Sequence, residues 1–105
     1  MMIHGDKCLE LGLPIPTRFD NQQTYVLNVI ANGFKLDTRM ARFIGIHNLH
    51  SIAPMLYKKG YQFTLEHGRV KCPFTGEFPP YPVDILSMTP EQIVHYKNTK
   101  TAKKN

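Results

Sequence analysis

The sequence predicts an α+β domain in which a group of short helices is followed by a β-hairpin. Apolar residues recur at spacings of three and four over residues 20–60, which is typical of helices with one buried face. Apolar and polar residues then alternate over residues 61–65, a turn follows at residues 66–68, and a second short strand is predicted over residues 69–72. The length of 105 residues indicates one compact domain.

Residues 1–18 are predicted to form an extended N-terminal arm. Leu9, Leu11, Leu13 and Ile15 share one parity, as in a half-buried strand, and the intervening glycine and prolines restrict such a strand to the edge of a sheet. The start of the chain lacks a basic region followed by a long apolar core, so we expect no secretory signal.

Two helices are predicted next, and each begins at a capping residue. Asp20 and Gln23 form the capping pair of the first helix, which ends at Asn32-Gly33. Asp37 caps the second helix, and Gly45 ends it.

A third helical segment follows, and it contains a proline. Leu49, Ala53 and Leu56 stack on one side of this segment and are predicted to face the core. Pro54 would remove one backbone hydrogen bond from a helix interior, at a cost of about 3 kcal/mol. Two outcomes are open: the helix begins late, with Ser51 as its cap, or it begins earlier and kinks at the proline.

Three regions are predicted after the hairpin. Residues 73–88 are rich in proline and aromatic residues, which predicts an extended segment. A threonine, a proline and a capping-box glutamine begin a C-terminal helix over residues 89–97. The final stretch KNTKTAKKN has four lysines and no acidic residue, so residues 98–105 are predicted to be a basic, disordered tail.

Charge and cysteine content restrict the function classes. The chain has 13 basic and 8 acidic residues, a formal net charge of +5 that favours an acidic partner such as nucleic acid. Cys8 and Cys72 form no CxxC pair, which argues against a thiolate zinc site. No phosphate-binding glycine loop, GxSxG motif or carboxylate pair is present, and no apolar run approaches the roughly 20 residues of a membrane span. We therefore expect a cytoplasmic protein that is not an enzyme and has no cofactor, metal or membrane contact.

The segment RMARFIGIHNLHSIAPMLYKKGYQF has a motif of fixed spacing. The motif is an alanine, Gly-Ile four residues on, apolar positions along the next helix, and a basic pair before Gly-Tyr. These residues are Ala41, Gly45-Ile46, Leu49, Ala53, Leu56, Lys58-Lys59 and Gly60-Tyr61. The motif resembles the small winged helix-turn-helix domains common in phage and prophage proteins. The resemblance implies a three-helix core with a β-hairpin wing over residues 19–72, in a protein of the bacterial host cytoplasm.

The resemblance also implies sequence-specific binding of double-stranded DNA, by a transcriptional regulator or an excisionase-like architectural factor. The third helix would enter the major groove, where amide, hydroxyl and basic side chains suit base edges. The expected contacts of this recognition helix are His47, Asn48, His50, Ser51 and Lys58. The expected contacts of the second helix and the wing with the DNA backbone are Arg39, Arg42, His67, Arg69 and Lys71.

A second function stays open, because winged helices also bind proteins. The segment PFTGEFPPYP could offer an extended surface to a host protein, and Glu66, Glu77 and Asp84 near the wing would weaken its attraction for DNA. A second copy of the chain could bind through the arm or the C-terminal helix, because one short recognition helix reads few base pairs. Basic residues clustered on one face would favour DNA, whereas scattered charges and an exposed apolar patch would favour a protein partner.

Overall fold

The computed structural model describes residues 3–17 and 21–103, and this part of the chain contains five helices and one three-stranded antiparallel sheet. In chain order the elements are α1 (Gly5–Glu10), α2 (Gln22–Ala31), β1 (Leu36–Asp37), α3 (Thr38–Phe43), α4 (Leu49–Lys58), β2 (Thr64–Gly68), β3 (Val83–Ser87) and α5 (Pro90–Lys103). The chain is thus a compact α+β domain, which confirms the α+β part of the predicted fold class.

The sheet has the order β1–β3–β2, with β3 in the centre. Leu86 of β3 pairs with Leu36 on one side and with Leu65 on the other. The predicted hairpin partner was therefore wrong: β2 pairs with Val83–Ser87, and residues 69–82 form the loop between the two strands. Strand β3 pairs with β2 because it contributes Leu86 to the core, where this side chain is fully buried. Residues 69–71 have no buried side chain to contribute.

The core lies between the helices and one face of the sheet. Its fully buried large side chains come from α1, α2, β1, α4 and β3, and from the turn between α3 and α4. They are Cys8, Tyr25, Val26, Val29, Ile30, Leu36, Ile44, Ile46, Leu49, Leu56 and Leu86. Each aliphatic side chain removed from water in this way contributes about 1.5–3 kcal/mol, so this cluster holds α3 and α4 in place.

The N-terminal segment differs from the predicted arm, because Gly5–Glu10 are helical rather than extended. Cys8 and Leu13 are buried in the core, whereas Leu9 is 62% exposed, so the shared parity of the leucines did not mark one buried face. Gly12 takes a φ of +72°, which reverses the chain and lets the Leu13 N–H donate to the Cys8 carbonyl at 2.9 Å. The N-terminal segment packs on the core of the same chain. Of the two segments predicted to contact a second copy, the arm and the C-terminal helix, α5 is therefore the one that remains.

The helix starts follow the predicted chemistry with one shift. The Asn21 side chain accepts the Thr24 N–H at 2.8 Å, and the Asn21 N–H donates to Thr24 Oγ1 at 2.8 Å. This capping box lies one residue after the predicted pair. Asp20, the first residue of the predicted pair, falls outside the described residues. Asp37 caps α3 as predicted, accepting the Met40 N–H at 2.8 Å.

The C-terminal helix begins as predicted and continues further. The Thr89 N–H donates to Gln92 Oε1 at 2.9 Å, and the Gln92 N–H donates to Thr89 Oγ1 at 3.2 Å. The helix then extends to Lys103, so residues 98–103 are helical rather than disordered. The last two residues of the predicted tail lie outside the described part of the chain.

Candidate nucleic-acid interface

A short turn over residues 44–48 joins α3 to α4. Gly45 takes a φ of +104°, a conformation that glycine adopts without strain. The Ile46 N–H donates to the Ala41 carbonyl at 2.7 Å and closes the end of α3. Ile44 and Ile46 are both fully buried, so the turn is anchored in the core on either side of the glycine. The position and direction of α4 follow from this anchoring.

One side of α4 is buried and the other is open. Leu49, Ala53 and Leu56 are buried as predicted, and Ile52 is buried beside them. All five residues expected on the recognition helix are exposed: His47, Asn48, His50 and Ser51 lie together at its N-terminal end, and Lys58 lies at its C-terminal end. This end of α4 therefore presents hydrogen-bonding side chains to solvent on a fixed backbone.

Asn48 is the N-cap residue of α4, but its side chain makes no capping hydrogen bond. Its carbonyl accepts the N–H groups of Ser51 at 2.9 Å and Ile52 at 3.1 Å. Asparagine at this position usually uses its side-chain oxygen to bind the first turn. The amide of Asn48 is therefore available to a partner that offers both a donor and an acceptor.

Pro54 lies on the exposed side of α4, more than one turn inside the helix. The helix begins at Leu49, so the late start with Ser51 as cap was wrong. The carbonyl that loses its partner belongs to His50, which is itself exposed, so water can bond to it. Exposure limits the cost of the missing hydrogen bond.

A cleft of about 290 Å³ separates α4 from the sheet. Its lining residues are His50, Ala53, Pro54, Tyr57, Phe63, Leu65 and Asp84. Tyr57 is 72% exposed and Leu65 47% exposed, and the Tyr57 ring meets Phe63 edge to face at 6.1 Å. An apolar surface therefore adjoins the polar end of α4.

The side chain of His67 on β2 is paired with an acidic side chain on β3. Its Nε2 atom lies 2.8 Å from Oδ1 of Asp84, its register partner on β3. His67 is 65% exposed and Asp84 is 23% exposed. His67, which was expected to contact the DNA backbone, is therefore paired with a carboxylate of its own sheet.

Arg69 organises the loop over residues 69–82, which we call the β2–β3 loop. Its Nε donates to the Pro79 carbonyl at 3.0 Å, and its Nη2 donates to the Phe78 carbonyl at 3.1 Å. A guanidinium has five N–H donors, so these two bonds leave three for another partner. Sequence reasoning predicted a role for Arg69 but not these bonds, because their acceptors lie nine and ten residues further along the chain.

The β2–β3 loop folds back over α3 and changes the surroundings of Arg39 and Lys71. The Phe74 ring packs edge to face on Phe43, 5.1 Å between centroids. Arg39 was expected to be exposed, but it is half-buried and its buried Nε has no hydrogen-bond partner in the described part of the chain. Lys71 lines a cavity of about 520 Å³ between the loop, α1 and α3, away from α4. Arg42 is exposed as predicted.

Sequence reasoning missed the setting of Cys72 in this loop. The backbone N–H of Thr75 is the main group that lowers the pKa of the Cys72 thiol, and the Phe74 N–H, the Thr75 hydroxyl and the Arg39 charge act in the same direction. These effects outweigh the burial of the thiol. Arg39 is distant in sequence, so no local pattern could have revealed it. Cys8 differs, because burial raises the pKa of its thiol.

Comparisons with known proteins add no family to these observations. No protein-family model matches the chain, and neither a curated protein nor a solved structure matches it. Among residues 3–17 and 21–103, no three His, Cys, Asp or Glu side chains are grouped so that they could hold a metal ion. None of the helices in the same residues has the length and apolar character required to cross a membrane.

Proposed function

We propose that this chain is a winged helix-turn-helix protein that binds double-stranded DNA in a sequence-dependent way, as a small regulator or an architectural factor of the phage type. One observation carries the proposal: the N-terminal end of α4 exposes a cluster of hydrogen-bonding side chains while its opposite side is buried. The cluster consists of His47, Asn48, His50 and Ser51. In helix-turn-helix proteins the N-terminal residues of the second helix contact base edges.

The order of the elements supports the same proposal. Helices α2, α3 and α4 are followed by a β2–β3 pair that a long loop connects, and β1 adds a third strand next to β3. In the proposed assignment, α3 and α4 are the helix-turn-helix, α4 is the recognition helix, and β2, β3 and their loop are the wing. The wing is longer than the sequence predicted, because its second strand begins at Val83.

Several exposed side chains have chemistry that suits contact with a duplex. The amide of Asn48 suits the donor and acceptor pair on adenine, and the Ser51 hydroxyl suits either polarity. Arg42 and Lys58 are exposed at the C-terminal ends of α3 and α4, where they would neutralise phosphates. The half-buried Arg39 and the distant Lys71 are assigned no direct contact. Arg69 would contact a phosphate through its remaining donors.

Fluorescence anisotropy of a labelled duplex over a salt series tests the proposal. We expect binding to weaken steeply with salt, and the slope of log affinity against log salt to fall by about one for Arg42→Ala and again for Lys58→Ala. Lys35→Ala is the matched control, because Lys35 is exposed but lies in the loop between α2 and β1. The absence of binding at low salt by folded protein would reject the proposal.

Asn48→Ala and Ser51→Ala test sequence dependence in a selected site. Each should cost about 1–3 kcal/mol of binding free energy at the base pair it contacts, and should leave the salt slope unchanged. Equal losses on every duplex sequence would instead indicate a structural role for these residues.

Binding of a host protein is a second candidate function, and the apolar cleft beside α4 favours it. Tyr57 and Leu65 are exposed there and form apolar surface, which suits contact with a protein better than contact with DNA phosphates. The test is capture from a host lysate by wild type and by Leu65→Ser. Loss of one specific protein in the variant, without DNA binding by the wild type, would support this candidate. Pairing with a second copy stays a prediction, which sedimentation would measure.

A further inference from the structure

The β2–β3 loop exposes three aromatic side chains, of which Phe74 is 66% exposed. Phe78 is 61% exposed and Tyr81 is 72% exposed. Large aromatic side chains are mostly buried in a protein of this size, and exposed ones on an ordered segment indicate a contact surface. Phe74, the third aromatic residue of the loop, packs on Phe43 and holds the loop against α3.

The backbone that carries Phe78 is held by hydrogen bonds on both sides. The Arg69 guanidinium donates two hydrogen bonds, to the carbonyls of Phe78 and Pro79. The Cys72 N–H donates to the Glu77 carbonyl at 2.8 Å. The two prolines that follow Phe78 restrict the chain further. A side chain on such a segment loses little conformational entropy when a partner covers it, because the backbone is already ordered.

The charge beside Phe78 indicates the class of partner. The guanidinium of Arg69 binds the Phe78 carbonyl at 3.1 Å, and Arg69 is exposed, so its three remaining N–H groups can bind a partner that contacts Phe78. The loop carries two basic residues and one acidic residue, Glu77, in a chain of net charge +5. A nucleic acid presents phosphates close to apolar base faces, which suits a guanidinium bound to the backbone of the residue that carries an exposed phenyl ring.

We propose that Phe78 inserts as a wedge between two base pairs of duplex DNA from the minor groove, with Arg69 on the adjacent phosphate. This inference rests on the proposed function and deepens it, because it adds a bend in the bound duplex. Apolar wedges unstack one base step and bend the helix towards the major groove. Pyrimidine–purine steps such as TA are the easiest to unstack, so the wedge selects them.

The test uses a mixed-sequence duplex of about 30 base pairs, close to three helical turns, with TA steps, 2-aminopurine at one of them, and a dye at each end. Binding of wild type should raise 2-aminopurine fluorescence through unstacking and shorten the end-to-end distance measured by energy transfer. Phe78→Ala should bind at least about fivefold more weakly, with neither signal and with the wild-type salt slope. Phe78→Leu should retain both signals, because leucine also serves as a wedge.

Val94→Ala is the matched control, since Val94 is 57% exposed on α5 and outside the loop. It should behave as wild type, and circular dichroism checks that each variant is folded. If Phe78→Ala binds, bends and unstacks the duplex like wild type, the wedge is overturned while DNA binding stands. If folded wild type binds no duplex at low salt, the wedge and the proposed function both fall, and a protein partner for Phe78 and Tyr81 takes their place.

Discussion

The Nε2 atom of His67 lies 2.8 Å from the Oδ1 atom of Asp84, and the two residues face each other across β2 and β3. Asp84 also lines the cleft beside α4, together with His50. The Asp84 side chain therefore places an acidic group beside the helix proposed to bind DNA.

We expect Asp84→Asn to bind duplex DNA about two- to fivefold more tightly than wild type, because it removes a carboxylate from the cleft beside α4 and with it a repulsion of the phosphates. Anisotropy titrations at constant ionic strength measure the difference.

Glu66→Gln is the control for this charge change, because Glu66 is exposed on the same strand but points to its other face. It should alter the affinity less than Asp84→Asn does. The absence of any gain in affinity in Asp84→Asn would contradict this role of the carboxylate.

Cys72 is 8% exposed, and its reaction with iodoacetamide should begin at a lower pH than that of a thiol with an ordinary pKa. Hydrogen bonds led by the Thr75 N–H lower the pKa of Cys72 from the ordinary value of 9.0, so its thiolate forms earlier as the pH rises. Cys8 should stay unmodified in the folded protein, because it is fully buried and burial raises the pKa of its thiol. Mass spectrometry of alkylation rates from pH 6 to 9 separates the two sites. Thr75→Val, which removes one donor, should shift the Cys72 profile to higher pH, and a profile identical to that of wild type would contradict this account.

The pKa of Asp37 is raised by burial, which outweighs the N–H bond from Met40. A raised folded-state pKa means that the ionised carboxylate costs stability, and this cost appears as the pH rises through the folded pKa. Asp37→Asn keeps a capping oxygen without the charge, so it should be at least as stable as wild type at pH 7. Its advantage should shrink as the pH falls into the range where Asp37 protonates.

Asp37→Ala separates the cap from the charge, because it lacks both. It should lose about 1 kcal/mol of the free energy of unfolding relative to Asp37→Asn. Urea denaturation at pH 7 and pH 4 measures all three proteins. An Asp37→Asn protein as unstable as Asp37→Ala would mean that the carboxylate charge, and not the cap, supports α3.

Leu86→Ala should destabilise the fold by about 2–5 kcal/mol, because Leu86 is fully buried on the central strand between Leu36 and Leu65. Val70→Ala is the comparison, since Val70 lies in the segment that the sequence predicted as the second hairpin strand. Val70 is only half-buried in a loop, so its truncation should cost less than about 1 kcal/mol. Urea unfolding of both variants measures the difference. Similar losses would indicate that residues 69–72 support the sheet after all.

The sequence was most informative where structure depends on neighbours in the chain. Asp37 as the cap of α3, Gly45 at the turn and Leu49 on the buried side of α4 follow from rules that act over a few residues. Strand β3 was missed because register depends on contacts between distant residues, and the prolines just before Val83 obscured its apolar alternation. Helix α1 has only six residues, so its stability comes from packing of Cys8 and not from local propensity.

The features of the candidate site also fall into those that local sequence rules predict and those that depend on the fold. The exposure of His50 and its neighbours on α4 could be predicted from helical spacing, because the buried residues fix which side faces solvent. The bonds of Arg69 and the pairing of His67 with Asp84 could not, because each joins residues whose proximity the fold creates. The half-buried position of Arg39 has the same origin, since it arises where the β2–β3 loop folds over α3.

Replacement of Pro54 tests how α4 tolerates a proline in its interior. Pro54→Ala restores an N–H that can bond to the His50 carbonyl. Because water can already bond to that exposed carbonyl, the change should recover only part of the roughly 3 kcal/mol that an interior proline costs. Alanine also gives the unfolded chain more freedom, which offsets up to about 1 kcal/mol, so we expect a net gain of about 1 kcal/mol in the free energy of unfolding. Ser51→Ala, on the exposed side of the same helix, should change stability by less than about 0.5 kcal/mol. If urea denaturation shows no gain in Pro54→Ala, then the contacts of the proline ring in the cleft beside Tyr57 compensate for the missing hydrogen bond, and that variant should also enlarge the cleft.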